Sequence, residues 1–182
     1  GFCYPNSSGS GSAYLTAEGD TVSHQVMWMQ FLPHTQFFET YGFRSGMGRT
    51  PEQLSDYDYA KNDLVLTENA AYDIFGRRDV QGERCESTSR GDTVYQPVIG
   101  IVETFKSYSD WRPMAVAFFP TLNVDANDIP QYAQILIRIK EGVSMKRFLH
   151  DFRPWMLKEL RQGNLFARSA RSYDDLITER EA

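Results

Sequence analysis

The stretch Asn62-Asp63-Leu64-Val65-Leu66-Thr67-Glu68-Asn69-Ala70-Ala71-Tyr72-Asp73-Ile74-Phe75-Gly76 decides the fold class. Leu64, Val65 and Leu66 are apolar on both faces and too few for a helix, so they read as a buried strand. Thr67 is a suitable N-cap and Glu68 suits the positive end of a helix dipole. Ala70, Ala71, Ile74 and Phe75 then recur at helical spacing, and Gly76 supplies the left-handed stop. Gln81-Gly82-Glu83 opens the next strand, which runs through Cys85. A strand feeding a helix and then more strands predicts an α+β protein with mixed sheets and βαβ units.

Working upstream, residues 22–31 alternate with a period of two: Val22, His24, Val26 and Trp28 against Ser23, Gln25, Met27 and Met29. The second half is apolar on both faces, which predicts a central strand. Residues 13–17 form a shorter strand closed by Glu18-Gly19-Asp20, and residues 1–12 read as a flexible segment. After Pro33, residues 34–41 predict one or two helical turns ended by Gly42. Residues 43–46 are short and extended, residues 46–51 a turn-rich loop, and residues 53–62, rich in Asp and Tyr, an exposed stretch.

Downstream, residues 93–105 form a long extended run in which Pro97 marks an edge or a bulge. Residues 115–119 make another strand, closed by Pro120. Past a polar connector at 122–130, residues 133–139 predict a strand. Ser144 caps a helix to about Arg161, kinked at Pro154, and residues 165–171 alternate again. That is one complete βαβ unit. The domain organisation expected is a flexible segment at 1–12, a mixed α/β lobe at 13–120, and residues 121–182 as the closing βαβ unit and C-terminal tail, packed with the first lobe.

Composition narrows the function. The 182 residues carry 41% hydrophobic and 24% charged side chains, and the net charge is −5. No basic run is longer than Arg77-Arg78, and with the acidic balance this excludes nucleic acid as a partner. No stretch reaches the roughly 20 apolar residues needed to cross a bilayer. The opening Gly1-Phe2-Cys3-Tyr4-Pro5 has no initiator Met and no basic leader, and reads as a processed or engineered fragment whose membrane segments or export signal lie outside it. Cys3 and Cys85 would be free to pair in an oxidising compartment and would stand as thiols in the cytosol.

Chemistry-bearing patterns are scarce. His24, His34 and His150 are scattered and lack the spacing of a helical metal pair. Cys85 adjoins Arg84, but neighbours in a strand face opposite ways. Asn123-Val124-Asp125-Ala126-Asn127-Asp128 fails the calcium-loop pattern, which wants Gly at its sixth position and Glu at its twelfth. The glycines of residues 42–48 lack phosphate-loop spacing. No catalytic, cofactor-binding or metal-ligating residue is predicted, and the chain is not expected to be an enzyme. Tyr57-Asp58-Tyr59 leaves open a second reading, a free-standing secreted peptide- or glycan-binding protein.

Several stretches in series resemble a known family. Asn62 to Gly76 is similar to the strand-then-helix signature of MacB-like periplasmic core domains, found in FtsX-like ABC-transporter permeases. Val80-Gln81-Gly82-Glu83 resembles the strand start that follows it, and Val98-Ile99-Gly100-Ile101-Val102-Glu103-Thr104-Phe105 the family's V-x-G-V-V-x-D-F strand. Gln36-Phe37-Phe38 through Gly42 and Gly48-Arg49 match in order upstream. Ile137-Arg138-Ile139-Lys140, Phe148, Phe152 and Leu160 to Asn164 do so downstream. The resemblance spans roughly residues 22–173 and implies a two-lobed, non-catalytic periplasmic core domain on the outer side of the inner membrane. It further implies a cytoplasmic ATPase subunit, reached through transmembrane helices outside this chain, whose hydrolysis moves the domain. A periplasmic adaptor, a homodimer in the full permease, and export or efflux are expected on the same ground. No cofactor is implied.

Overall fold

A computed structural model describes residues 11–89, 92–104, 115–122 and 137–162. In chain order the elements are β1 (Gly11–Ala17), β2 (Ser23–Phe31), α1 (Phe37–Tyr41), β3 (Ser45–Met47), α2 (Pro51–Ser55), β4 (Leu64–Thr67), α3 (Glu68–Phe75), β5 (Arg84–Ser89), β6 (Asp92–Val102), β7 (Val116–Pro120) and α4 (Met145–Gln162). They fall into two units, Gly1–Leu136 and Ile137–Ala182.

In the first unit all seven described strands share one mixed sheet, in the order β3-β6-β4-β7-β2-β1-β5. β5 also pairs with β6, so six strands close into a ring and β3 stands outside it as an appendage of β6. β6 makes this possible by its length. Residues 92–97 run antiparallel to β5, and the last five residues lie parallel to β4. The register slips between those halves, where Leu64 faces Val98 but Val65 faces Gly100. This is the bulge that Pro97 foreshadows, and a bulge bends its strand as closure requires.

Strand alternation divides the apolar residues into two cores, one on each face of the sheet. Leu64 and Leu66, Val98 and Ile101, Ala117 and Val26 point to one face, where Ala70, Ala71 and Ile74 of α3 meet them. Val65, Ile99, Val102, Val116, Phe118, Met27 and Met29 point to the other, beneath α1 and α2. That second core is unusually aromatic. Phe31, Phe37, Phe38, Phe43 and Phe118 lie with ring centroids 5.0–6.4 Å apart, mostly edge to face, an arrangement that adds to the area they bury. β4, loaded on both faces, is fully buried along its length.

Two expectations are corrected. Residues 53–62 are exposed only in part: Gln53, Asp56, Asp58 and residues 60–62 face water, while Leu54, Ser55 and Tyr59 are buried. Their polar average hides an alternation in which Asp56 and Asp58 face water while Tyr59 enters the aromatic core. Part of the turn-rich loop is also a helix. Thr50 accepts from the Gln53 N–H and Gln53 returns a bond to the Thr50 N–H, a capping box with Pro51 at the first position. Thr67 does hold the N-cap position of α3, with no cap bond from its side chain. Its hydroxyl instead accepts the Val116 N–H at 2.9 Å across the sheet and donates to Asn69 Oδ1 at 2.7 Å.

The second unit contributes α4, 18 residues long with Pro154 inside it. Ser144 Oγ lies 3.5 Å from the Arg147 N–H at its start. Residues 137–139, expected as the end of a strand, are irregular. The rest of that strand and the strand expected at 165–171 lie outside the described residues.

Candidate functional site

Among the described residues of the first unit, a polar cluster is built around Arg49, in the turn after β3. Its Nη1 donates to the Ile99 carbonyl at 2.5 Å, at the slip in β6. The guanidinium carbon stands 4.6 Å from the centre of the Tyr57 ring. The Arg49 N–H is bonded to Gln81 Oε1 at 3.1 Å. Gly48 makes that approach possible: it has φ +88°, and a Cβ there would stand 2.0 Å from the same oxygen. One side chain and its backbone thus tie the β3 turn, the segment after α2, the bulge of β6 and the loop before β5.

Behind Arg49 lie Tyr59 and Asp63. Burial pushes the Tyr59 phenol well above its ordinary range, and its hydroxyl has no hydrogen-bond partner among the described residues. Burial also raises the Asp63 carboxyl, opposed by the Ala60 N–H bonded to it at 2.7 Å and by Arg49. A neutral phenol, a carboxyl shifted toward its neutral form and a fixed cation make a structural clasp. They do not pair a nucleophile with a base. Ser55 donates to a Glu39 carboxylate oxygen nearby, joining α2 to α1.

The residues singled out in the sequence are dispersed. His24 is half-buried on β2, His34 is exposed, and His150 lies against Asp151 on α4. Cys85 is a buried free thiol whose pKa burial pushes up to about 12, the opposite of what an activated nucleophile needs. Arg84, its neighbour, is turned to Glu18 at 2.6 Å and to the Tyr95 ring. Cys3 and the segment from Asn123 to Asp128 lie outside the described residues. Among the described residues no group of three His, Cys, Asp or Glu side chains is placed to hold a metal ion. Tyr57 and Tyr59 contact each other edge to face at 4.9 Å, with Tyr59 buried in the aromatic core and Tyr57 half-buried against it. The sequence reading assigned Gly48-Arg49 only to a turn. Its role as a clasp depends on segments up to 50 residues away that no local pattern encodes.

In the second unit, Val143, Arg147, Phe148, Asp151, Phe152 and Trp155 line a shallow open groove along α4. Phe148 and Phe152 stack with centroids 5.1 Å apart, and Trp155 continues the row at 5.5 Å. No helix among the described residues is long and apolar enough to cross a membrane.

Two solved structures share this fold. The periplasmic region of MacB from Actinobacillus actinomycetemcomitans is 20% identical with a TM-score of 0.52, over 83% of this chain and 64% of that one. A domain of a permease protein from Porphyromonas gingivalis is 15% identical with a TM-score of 0.53, over 81% of this chain and 60% of that one. The chain thus spans less than two thirds of the length of either. No protein-family model and no curated protein sequence matches it. The expected likeness to MacB-type periplasmic domains therefore holds at the level of fold, and the α+β class with a mixed sheet holds with it.

Proposed function

We propose that this chain is an extracytoplasmic domain of an ABC-transporter permease, held on the periplasmic side of the inner membrane and performing no bond chemistry of its own. The observation that carries this reading is the fold likeness to two transporter and permease domains over more than four fifths of the chain. Their structures have low identity to it, so the cargo and partners do not transfer from them. On this reading the domain transmits motion. A cytoplasmic ATPase acts through membrane helices outside this chain, and the domain couples that motion to export or to docking a periplasmic adaptor, in a permease that works as a homodimer. The second lobe belongs to the same proposal, with α4 as its described element. The dispersal of His24, His34, His150 and Cys85 supports a role without catalysis.

The test uses the full-length gene product. After alkaline extraction it should stay with the membrane fraction, and protease added to spheroplasts should cut within residues 1–182 while sparing cytoplasmic markers. A product released entirely by alkaline extraction, or protected in spheroplasts, would overturn the reading. The secreted peptide- or glycan-binding alternative has less surface to rest on, since Tyr59 is 5% exposed while Tyr57 is half-buried and Asp58 faces water.

A further inference from the structure

α4 differs from every other helix described here in what it leaves uncovered. The helical period gathers Met145, Phe148, Leu149, Phe152, Trp155 and Met156 on one arc. In α3 the equivalent stripe is sealed, with Ala70, Ala71 and Ile74 at 0–3% exposure. In α4 four of the six are only half-buried, Met145 is exposed, and Trp155 is 56% exposed at the edge of the arc. The helix as a whole is cationic, with Glu159 falling on the arc itself, one turn beyond Trp155. Lys146, Arg147, Arg153, Lys158 and Arg161 stand against Asp151 and Glu159, a net +3 inside a chain whose total is −5. An apolar arc bordered by an indole and flanked by Lys and Arg is the pattern of a helix lying in a lipid interface. It is too polar to cross the bilayer.

We propose that α4 is a membrane-surface helix whose aromatic arc, from Phe148 to Trp155, enters the headgroup boundary of a bilayer while Lys146, Arg147 and Lys158 meet anionic phospholipid headgroups. The charge selects this occupant, because an uncharged apolar partner would have no use for a net +3. This goes beyond the permease reading and does not depend on it; spheroplast proteolysis and vesicle binding fail separately.

The experiment is co-sedimentation of the full chain with phosphatidylglycerol vesicles and with phosphatidylcholine vesicles. Partition onto phosphatidylglycerol should be at least tenfold stronger, and the triple substitution Lys146→Glu, Arg147→Glu, Lys158→Glu should remove most of it with an unchanged circular-dichroism spectrum. Brominated acyl chains should quench tryptophan fluorescence in the native chain, and Trp155→Phe, which leaves Trp28 and Trp111, should abolish that quenching. This second variant keeps the test decisive if the triple variant misfolds. No sedimentation with phosphatidylglycerol, equal partition onto phosphatidylcholine, or quenching that survives Trp155→Phe would each overturn the proposal. So would lipid-free self-association lost in the triple variant, which would make a second, acidic copy the occupant.

Discussion

Gly100 lies beneath Leu54 so closely that a Cβ there would stand 2.5 Å from Leu54 Cδ2. The absence of a side chain on β6 is what lets α2 settle on the aromatic core. Gly100→Ala should therefore destabilise the chain by about 1–3 kcal/mol through overpacking, read as a lower urea midpoint at constant slope. Adding Leu54→Ala should cost less than the sum of the two single changes, because one methyl would fill the gap the other opens. Additive costs would mean the two residues do not compete for this space. Asp63 supplies a pH test. Burial raises its carboxyl, so the folded chain keeps the proton to a higher pH than the unfolded chain. Its contribution to stability is full below the unfolded value and is lost as pH rises through the folded one. Asp63→Asn, which still accepts the Ala60 N–H, should flatten that part of the stability-versus-pH curve. An unaltered slope in urea titrations from mildly acid to neutral pH would assign the dependence to other groups.

At the scale of elements, the capping box of α2 carries its own prediction. Thr50→Ala removes the acceptor for the Gln53 N–H and should cost about 1 kcal/mol. Thr50→Ser should restore most of it, with both measured by thermal melts of the native chain. The contrast between α2 and α3 explains what could be read from residues alone. α3 has a complete stripe, an acidic first turn and Gly76 in the left-handed stop at φ +69°, and every one of those signals is local. α2 has only five residues and one buried apolar side chain, Leu54. Its capping signal, Thr50-Pro51-Glu52-Gln53, was present in the sequence but overshadowed by the glycines before it. β4 was legible because Leu64, Val65 and Leu66 admit no exposed face, and Pro97 marked the bulge of β6. The pairing of β5 with the first half of β6, which closes the ring, was not legible. Nor was Arg49 reaching the Ile99 carbonyl, because both depend on segments far apart in the chain. The resemblance to MacB-like periplasmic core domains agrees, at the level of fold, with the likeness to solved structures at 20% and 15% identity.

At the scale of the molecule, the ring sets which parts of the first unit can open alone. β4 lies between β6 and β7 with both faces buried, and β7 lies between β4 and β2. Their amides should exchange with solvent only when the whole unit unfolds. The paired residues Ser87 to Ser89 and Asp92 to Val94, at the thin end of β5 and β6, should exchange by local opening. Native-state hydrogen exchange in low denaturant separates the two classes, and early exchange of Leu66 or Ala117 would rule out a single cooperative ring. Closure has a further consequence for self-association. An open sheet offers neighbours a row of unsatisfied peptide groups along which aggregates grow. Here, among the described strands, β3 alone has a neighbour on one side only, and it is just the three residues Ser45, Gly46 and Met47. A runner so short, with a glycine at its centre, gives an incoming chain almost nothing to zip onto.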